Sequence, residues 1–195
     1  MTSLITCRDV ACVRGGRLLF AGLGFTLAGG EALWLQGPNG CGKSSLLRLI
    51  AGLVRPEVGK VEASARIMLA DERIALDPEM TLGGALAFWA RIDGADSAGV
   101  AAAMNAMALD ALADVPVAFL STGQRKRAVL ARAIISAAPI WLLDEPGNGL
   151  DTVSLAALQD VIAQHRADGG AVVFASHFDL DLPGQRTILL PDYAA

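Results

Sequence analysis

Leu120-Ser121-Thr122-Gly123-Gln124 stands between two other informative stretches, Gly37-Pro38-Asn39-Gly40-Cys41-Gly42-Lys43-Ser44 upstream and Ile140-Trp141-Leu142-Leu143-Asp144-Glu145 downstream. Their order narrows the fold more than any one of them does. The upstream stretch fits G-x-x-x-x-G-K-[ST], a phosphate-loop pattern shared by many unrelated nucleotide-binding proteins. A Ser-x-Gly-Gln segment ahead of an apolar strand that ends in two carboxylates is a far less common accompaniment.

In the phosphate loop, Gly37, Gly40 and Gly42 let the backbone approach an anion closely, with Pro38, Asn39 and Cys41 completing the turn. The loop amides converge at the N-terminus of the next helix, whose dipole favours negative charge. Lys43 is placed to neutralise the β- and γ-phosphates of ATP, Ser44 to hold Mg²⁺ through its hydroxyl, and Ser45 to reach the α-phosphate. Asp144 and Glu145 emerge together at the carboxyl edge of a sheet, beside that loop. Asp144 suits the Mg²⁺ shell, and Glu145 suits the base that orients attacking water. Ser121 and Gly123 offer a hydroxyl and an amide at a second helix N-terminus, another place where an anion is welcome, although the same residues also serve as an ordinary helix cap.

Outside these motifs, hydrophobic periodicity predicts the scaffold. Strands are expected at Leu4 to Val13, Gly24 to Ala28, Ala32 to Gln36 and Ile67 to Ala70, with a helix from Lys43 to Ala51. Thr81 to Leu112 turns helix-like, with Gly94 as a break. The second half alternates between the two periods, the mark of a parallel sheet with crossover helices. Helices are expected at Thr122 to Ala137 and Thr152 to Arg166, and strands at Ile140 to Leu143, Ala171 to Ser176 and Arg186 to Leu190. His165, on a helical stretch, reads as surface.

The 195 residues are enough for one domain with a substantial core and little else. Although 53% of residues are hydrophobic, no run approaches the ~18 apolar residues that a membrane-spanning helix needs. Met1-Thr2-Ser3-Leu4-Ile5 has no basic segment followed by an apolar one, so no secretory signal is expected and a cytoplasmic location is. A formal net charge of −4 argues against a nucleic-acid partner despite the run Arg125-Lys126-Arg127. Cys7, Cys12 and Cys41 lack metal-site spacing and read as reduced thiols.

Together with His177 after a later strand, this series resembles the nucleotide-binding domain of ATP-binding-cassette (ABC) proteins over nearly the whole chain. The resemblance implies an α/β fold: a P-loop NTPase of ABC type, with a mostly parallel core sheet, a small N-terminal antiparallel β subdomain and a short helical subdomain. It implies a single domain over residues 1–195, the helical part spanning roughly 81–137. A head-to-tail dimer with a second ATPase subunit follows, sandwiching two ATP molecules so that Ser121, Gly123 and Gln124 face the partner's nucleotide. His177 matches a histidine that contacts the γ-phosphate, and Asp151 of Gly149-Leu150-Asp151 matches a loop that signals between the two sites while also suiting a helix N-cap. Thr122 stands where the family has glycine. Glu72 occupies the position of a γ-phosphate-sensing glutamine, and Arg14 that of an adenine-stacking aromatic. A guanidinium plane can stack on adenine, but Arg14 also reads as a solvated turn residue.

The short chain, Cys12-Val13-Arg14-Gly15-Gly16-Arg17 and the abbreviated helical region look similar to one subgroup, the cytochrome c biogenesis or haem-exporter ATPases. That likeness implies a peripheral ATPase on the cytoplasmic face of the bacterial inner membrane, bound to an integral membrane permease. Its hydrolysis would serve haem export or the release of a haem-loaded chaperone from haem-handling membrane proteins. The rival readings are the ATPase of another ABC transporter, for lipids, drugs or metals, and a soluble cassette ATPase acting on ribosomes or DNA.

Overall fold

The computed structural model describes residues 3–71 and 75–194. Glu72 therefore lies outside the described residues. Strands β1 (Ser3–Arg14) and β2 (Arg17–Ala28) form an antiparallel hairpin through Gly15-Gly16. Both glycines have left-handed φ, 57° and 76°, which is what a two-residue hairpin turn demands. The chain then runs through β3 (Ala32–Gln36), α1 (Lys43–Ile50), β4 (Val58–Ala63), β5 (Ile67–Ala70), α2 (Leu82–Asp93) and α3 (Ser97–Ala106). Helix α4 (Thr122–Ser136), β6 (Ile140–Asp144), α5 (Thr152–Ala167), β7 (Ala171–Ala175) and β8 (Arg186–Leu189) complete it.

Two sheets result. A three-stranded antiparallel sheet has the order β2-β1-β4, and a five-stranded sheet has the order β5-β6-β7-β3-β8 with every pairing parallel. Alternation of side chains along the central strands divides the core in two. Trp34, Trp141, Leu143, Val172 and Phe174 pack with the helical region on one face. Leu33, Leu35, Ile140, Leu142 and Val173 pack on the other, with α1 and the antiparallel sheet. Because both faces are covered, these strands read as nearly unbroken apolar runs.

The structure departs from the sequence reading at several elements, each for a local reason. Strand β2 begins at Arg17 rather than Gly24, because a shift in pairing with β1 absorbs Gly22. Strand β4 had no legible signal. It is an edge strand exposed along most of its length, held by its pairing to β1. The alanine-rich segment beyond Gly94 breaks up: α3 is capped by the Asp96 side chain and stops at Ala106, and a short 3-10 turn follows.

His165 is a correction. It is half-buried rather than a plain surface residue, and its ring stacks on Trp141 with centroids 3.9 Å apart and planes 10° from parallel. Gly170 makes room for it, since a Cβ there would lie 2.2 Å from His165 Nε2. Burial pushes the imidazole below its ordinary value of 6.5, outweighing the nearby backbone of Ala171 and Pro139 and the charge of Asp168. The unfolded chain therefore binds a proton at His165 more readily than the native one. Its stabilising contribution is present above pH ~6.5 and is lost as the pH falls below that value. Replacing His165 with Phe is expected to flatten the decline in melting temperature between pH 7 and pH 5. An unchanged slope in a thermal-melt series would remove His165 as its source.

Candidate functional site

The phosphate loop joins β3, an interior strand of the parallel sheet between β7 and β8, to α1. Its glycines are required by shape. Gly37 has φ 147° and Gly42 has φ 112°; a Cβ on the first would stand 2.6 Å from Cys41 Sγ, and on the second 3.0 Å from the Phe20 ring. Helix α1 has no side-chain cap and no acidic residue in its first turn, so its leading amides and dipole are available to an anion. Lys43 is buried, at 7% exposure. Its Nζ donates to the carbonyls of Gly37 at 2.7 Å and Pro38 at 3.4 Å, which folds the ammonium over the loop.

A cavity of about 510 Å³ opens at this point. The loop and α1 contribute Asn39, Gly40, Gly42, Lys43, Ser44 and Ser45 to its wall. The carboxyl edge of the sheet contributes Asp144, Glu145 and His177, and the hairpin contributes Arg14 and Leu19. Residues from widely separated parts of the sequence thus meet at one concavity, as the carboxyl edge of a parallel sheet favours. Gly37, Pro38 and Cys41 shape the loop without lining the cavity; Cys41 packs beneath Gly37 and against the apolar cluster under the loop. The other two cysteines are buried in β1. Burial drives the Cys7 thiol up to about 12, and raises that of Cys12 against the opposing influence of Arg14 and Ser45.

Asp144 is the last residue of β6 and pairs with Ala175 of β7. Glu145, one step beyond, has φ 50°, a left-handed conformation that costs a non-glycine residue roughly 1 kcal/mol or more. Its amide donates to the Ala175 carbonyl at 2.8 Å, and its own carbonyl accepts from Lys126 Nζ at 2.8 Å. Its carboxylate Oε1 lies 3.2 Å from His177 Nε2, with side-chain exposures of 18% for Glu145 and 47% for His177. The strand-end acid and the histidine from the end of the neighbouring strand therefore form one unit facing the phosphate loop.

Arg14 closes β1 at the hairpin turn, opposite Arg17. It is exposed and reaches the cavity rim. Ser121, Gly123 and Gln124 are not part of this wall. They begin α4 in a reciprocal capping box, in which the Gln124 amide donates to Ser121 Oγ at 3.3 Å and the Ser121 amide donates to Gln124 Oε1 at 2.8 Å. Asp151 caps α5 by accepting from the Ser154 amide at 2.8 Å, and that hydrogen bond leads the causes holding its carboxyl below the usual range.

Two residues here escaped the sequence reading. Asn148 lines the cavity from an exposed turn with no pattern of its own. Lys126 was legible only as the middle of a basic run. In the structure the run fans out to carbonyls: Arg125 to Ala118, Lys126 to Glu145, and Arg127 to Met107 and Ala108. These cations fasten the helix to its surroundings, which accounts for a basic cluster in an acidic chain.

A phosphate loop, a strand-end carboxylate pair, a histidine beside them and a Ser-x-Gly-Gln helix start, on this pairing of sheets, define an ABC-type ATPase. Residues 20–148 match the ABC transporter family. The cytochrome c biogenesis ATP-binding export protein CcmA of Sphingopyxis alaskensis is 58% identical over 94% of both chains. Its namesake from Zymomonas mobilis is 51% identical over 98% of this chain and 86% of its own. Among solved structures, a putative ABC transporter ATP-binding protein from Pyrococcus furiosus shares the fold with a TM-score of 0.86 and 21% identity, covering 98% of this chain and 99% of its own. The chain belongs to the ABC transporter family and, within it, to the CcmA group of cytochrome c biogenesis ATP-binding export proteins. It is accordingly an ATP-binding ABC transporter ATPase.

Proposed function

We propose that this chain drives the export step of cytochrome c maturation by hydrolysing ATP at the cavity between Lys43 and Glu145. Haem export, or the release of a haem-loaded chaperone, is the work to which hydrolysis is coupled. The observation that carries the reading is the meeting of Lys43, Asp144, Glu145 and His177 at one cavity, in a chain so similar to CcmA. Lys43 and the loop amides hold the phosphates, Glu145 orients the attacking water, and His177 reaches the γ-phosphate while bridging to Glu145. Ser44 and Asp144 both line the cavity and offer hard oxygen donors suited to Mg²⁺, which usually takes one or two protein ligands and completes its shell with water and phosphate. When bound, the metal supplies charge neutralisation on the phosphates. Arg14 at the rim is the cavity's candidate for contact with the base.

The likeness to CcmA supports further assignments. A transporter ATPase needs a membrane partner, and no helix among the described residues is long and apolar enough to cross a membrane. The partner is an integral permease, met at the cytoplasmic face of a bacterial inner membrane, with haem-handling proteins and a haem chaperone on the same pathway. Residues 1–195 act as a single ATPase domain, helical over roughly 81–137, and pair head-to-tail with a second copy. Two measurements test this reading together. Deletion of the gene in its native host should abolish covalently haem-bound c-type cytochromes, and the tagged chain should bring down a membrane-spanning permease from solubilised membranes. Normal c-type cytochromes in the deletion strain, alongside a permease for lipids, drugs or metals, would replace it.

A further inference from the structure

We infer that Lys126 is a positioning residue for hydrolysis, fixing the Glu145 carboxylate by holding its main chain. The inference rests on the reading of Glu145 as the group that orients water. Glu145 is held in a left-handed conformation, φ 50°, that an L-residue leaves readily unless its neighbours fix it. Two hydrogen bonds clamp its backbone from different elements. Ala175 of β7 takes its amide proton at 2.8 Å, and Lys126 of α4 donates to its carbonyl at 2.8 Å. The bond from Lys126 is charge-assisted, and so stronger than a neutral one. The same carbonyl also accepts a hydrogen bond from the Asn148 amide, at 3.3 Å, longer, neutral and from an exposed turn.

Rotation of this peptide would swing the side chain attached to it. The carboxylate would then leave His177 Nε2, now 3.2 Å away, and lose its aim into the cavity. Misplacement of a reacting group by ~1 Å can cost as much as 10²-fold in rate, while nucleotide affinity, set at the phosphate loop, has no reason to change. Lys126 also belongs to the helix that begins with Ser121 and Gly123. Any shift of α4 is thereby passed to Glu145 through one side chain, a mechanical link between the helix start and the chemistry.

Steady-state ATPase assays and nucleotide binding on the full-length protein test the assignment. Lys126→Met should lower kcat about tenfold or more while KM and nucleotide affinity stay within about twofold, and Lys126→Arg, which keeps a long cationic donor, should recover most of kcat. In single-turnover measurements on a Glu145→Gln background, adding Lys126→Met should cost less than about twofold more, because Lys126 acts through Glu145. Wild-type kcat in Lys126→Met, an equal loss of kcat and affinity, no recovery by Lys126→Arg, or a further large loss on the Glu145→Gln background would each overturn it. Should Lys126→Met fail to fold by circular dichroism, Lys126→Gln, too short to reach the carbonyl, is judged by the same criteria. Glu145→Gln alone separates the two readings. If it turns over normally, the role of Glu145 falls; if it is inert while Lys126→Met is normal, only the role of Lys126 does.

Discussion

Glu145→Gln is expected to cut ATP turnover by about 10²–10⁴-fold, the usual worth of a positioned base, while nucleotide affinity stays within about twofold. The substitution keeps the shape of the side chain. It also keeps the two backbone bonds that fix the residue, to Ala175 and Lys126, and an amide oxygen can still meet His177 Nε2. What it removes is the negative charge that polarises water. Were Glu145 only a solvated acid at a strand end, its side chain would be well exposed and unengaged; instead it is 18% exposed and lies 3.2 Å from an imidazole nitrogen. Lys43→Ala is the contrasting case. That ammonium is buried and engaged with the loop's own carbonyls, so its loss should weaken binding as well as turnover. Hydrolysis by Glu145→Gln at the wild-type rate under saturating nucleotide would mean that another group orients the water.

How much of this was legible depended on burial. Strands β3 and β5 run from Ala32 to Gln36 and from Ile67 to Ala70, as periodicity predicts, and β6 and β7 differ from expectation by a residue at the C-terminal end. The central strands are apolar on both faces, so their pattern is plain. Strand β4 is legible only through its partner, since an edge strand in water need not be apolar. The same logic applies to the site. Glycines and a lysine at fixed spacing announce a phosphate loop, and an apolar strand followed by two acids announces a sheet edge. No sequence pattern announces that Glu145 would be left-handed, or that Lys126 would cross from α4 to its carbonyl. Such contacts join residues distant in sequence, and they exist only once helix and sheet have packed. The burial of His165 escapes the sequence for the same reason: its surroundings are set by Trp141 on β6 and by Gly170 in the turn before β7.

Mixing two inactive variants, Lys43→Ala and Ser121→Arg, is expected to restore ATPase activity above that of either alone. The reason lies in what lines the cavity. Lys43, Ser44, Asp144, Glu145 and His177 do, whereas Ser121, Gly123 and Gln124 do not. Those three instead start a separate helix, whose capping box occupies the Ser121 and Gln124 amides and whose first turn contains no acidic residue, so the remaining amides of that turn and the dipole present a second anion-binding end away from this chain's own cavity. A two-fold dimer sets residue i of one subunit against residue j of the other and the reverse, which makes two composite sites, each with one chain's Lys43 and the other's Ser121. In a mixed dimer, the Ser121→Arg chain supplies an intact Lys43 and the Lys43→Ala chain an intact Ser121. One site is therefore whole and the other is broken twice. With random exchange about half the dimers are mixed, so recovery should approach about a quarter of wild-type activity if one whole site turns over independently. A site-directed crosslink between position 121 of one chain and the phosphate loop of the other, formed only with ATP present, supplies an arm that needs no turnover. Failure of both the recovery and the crosslink would mean that the helix start at Ser121 serves its own chain as a cap, and that a single subunit carries the complete site.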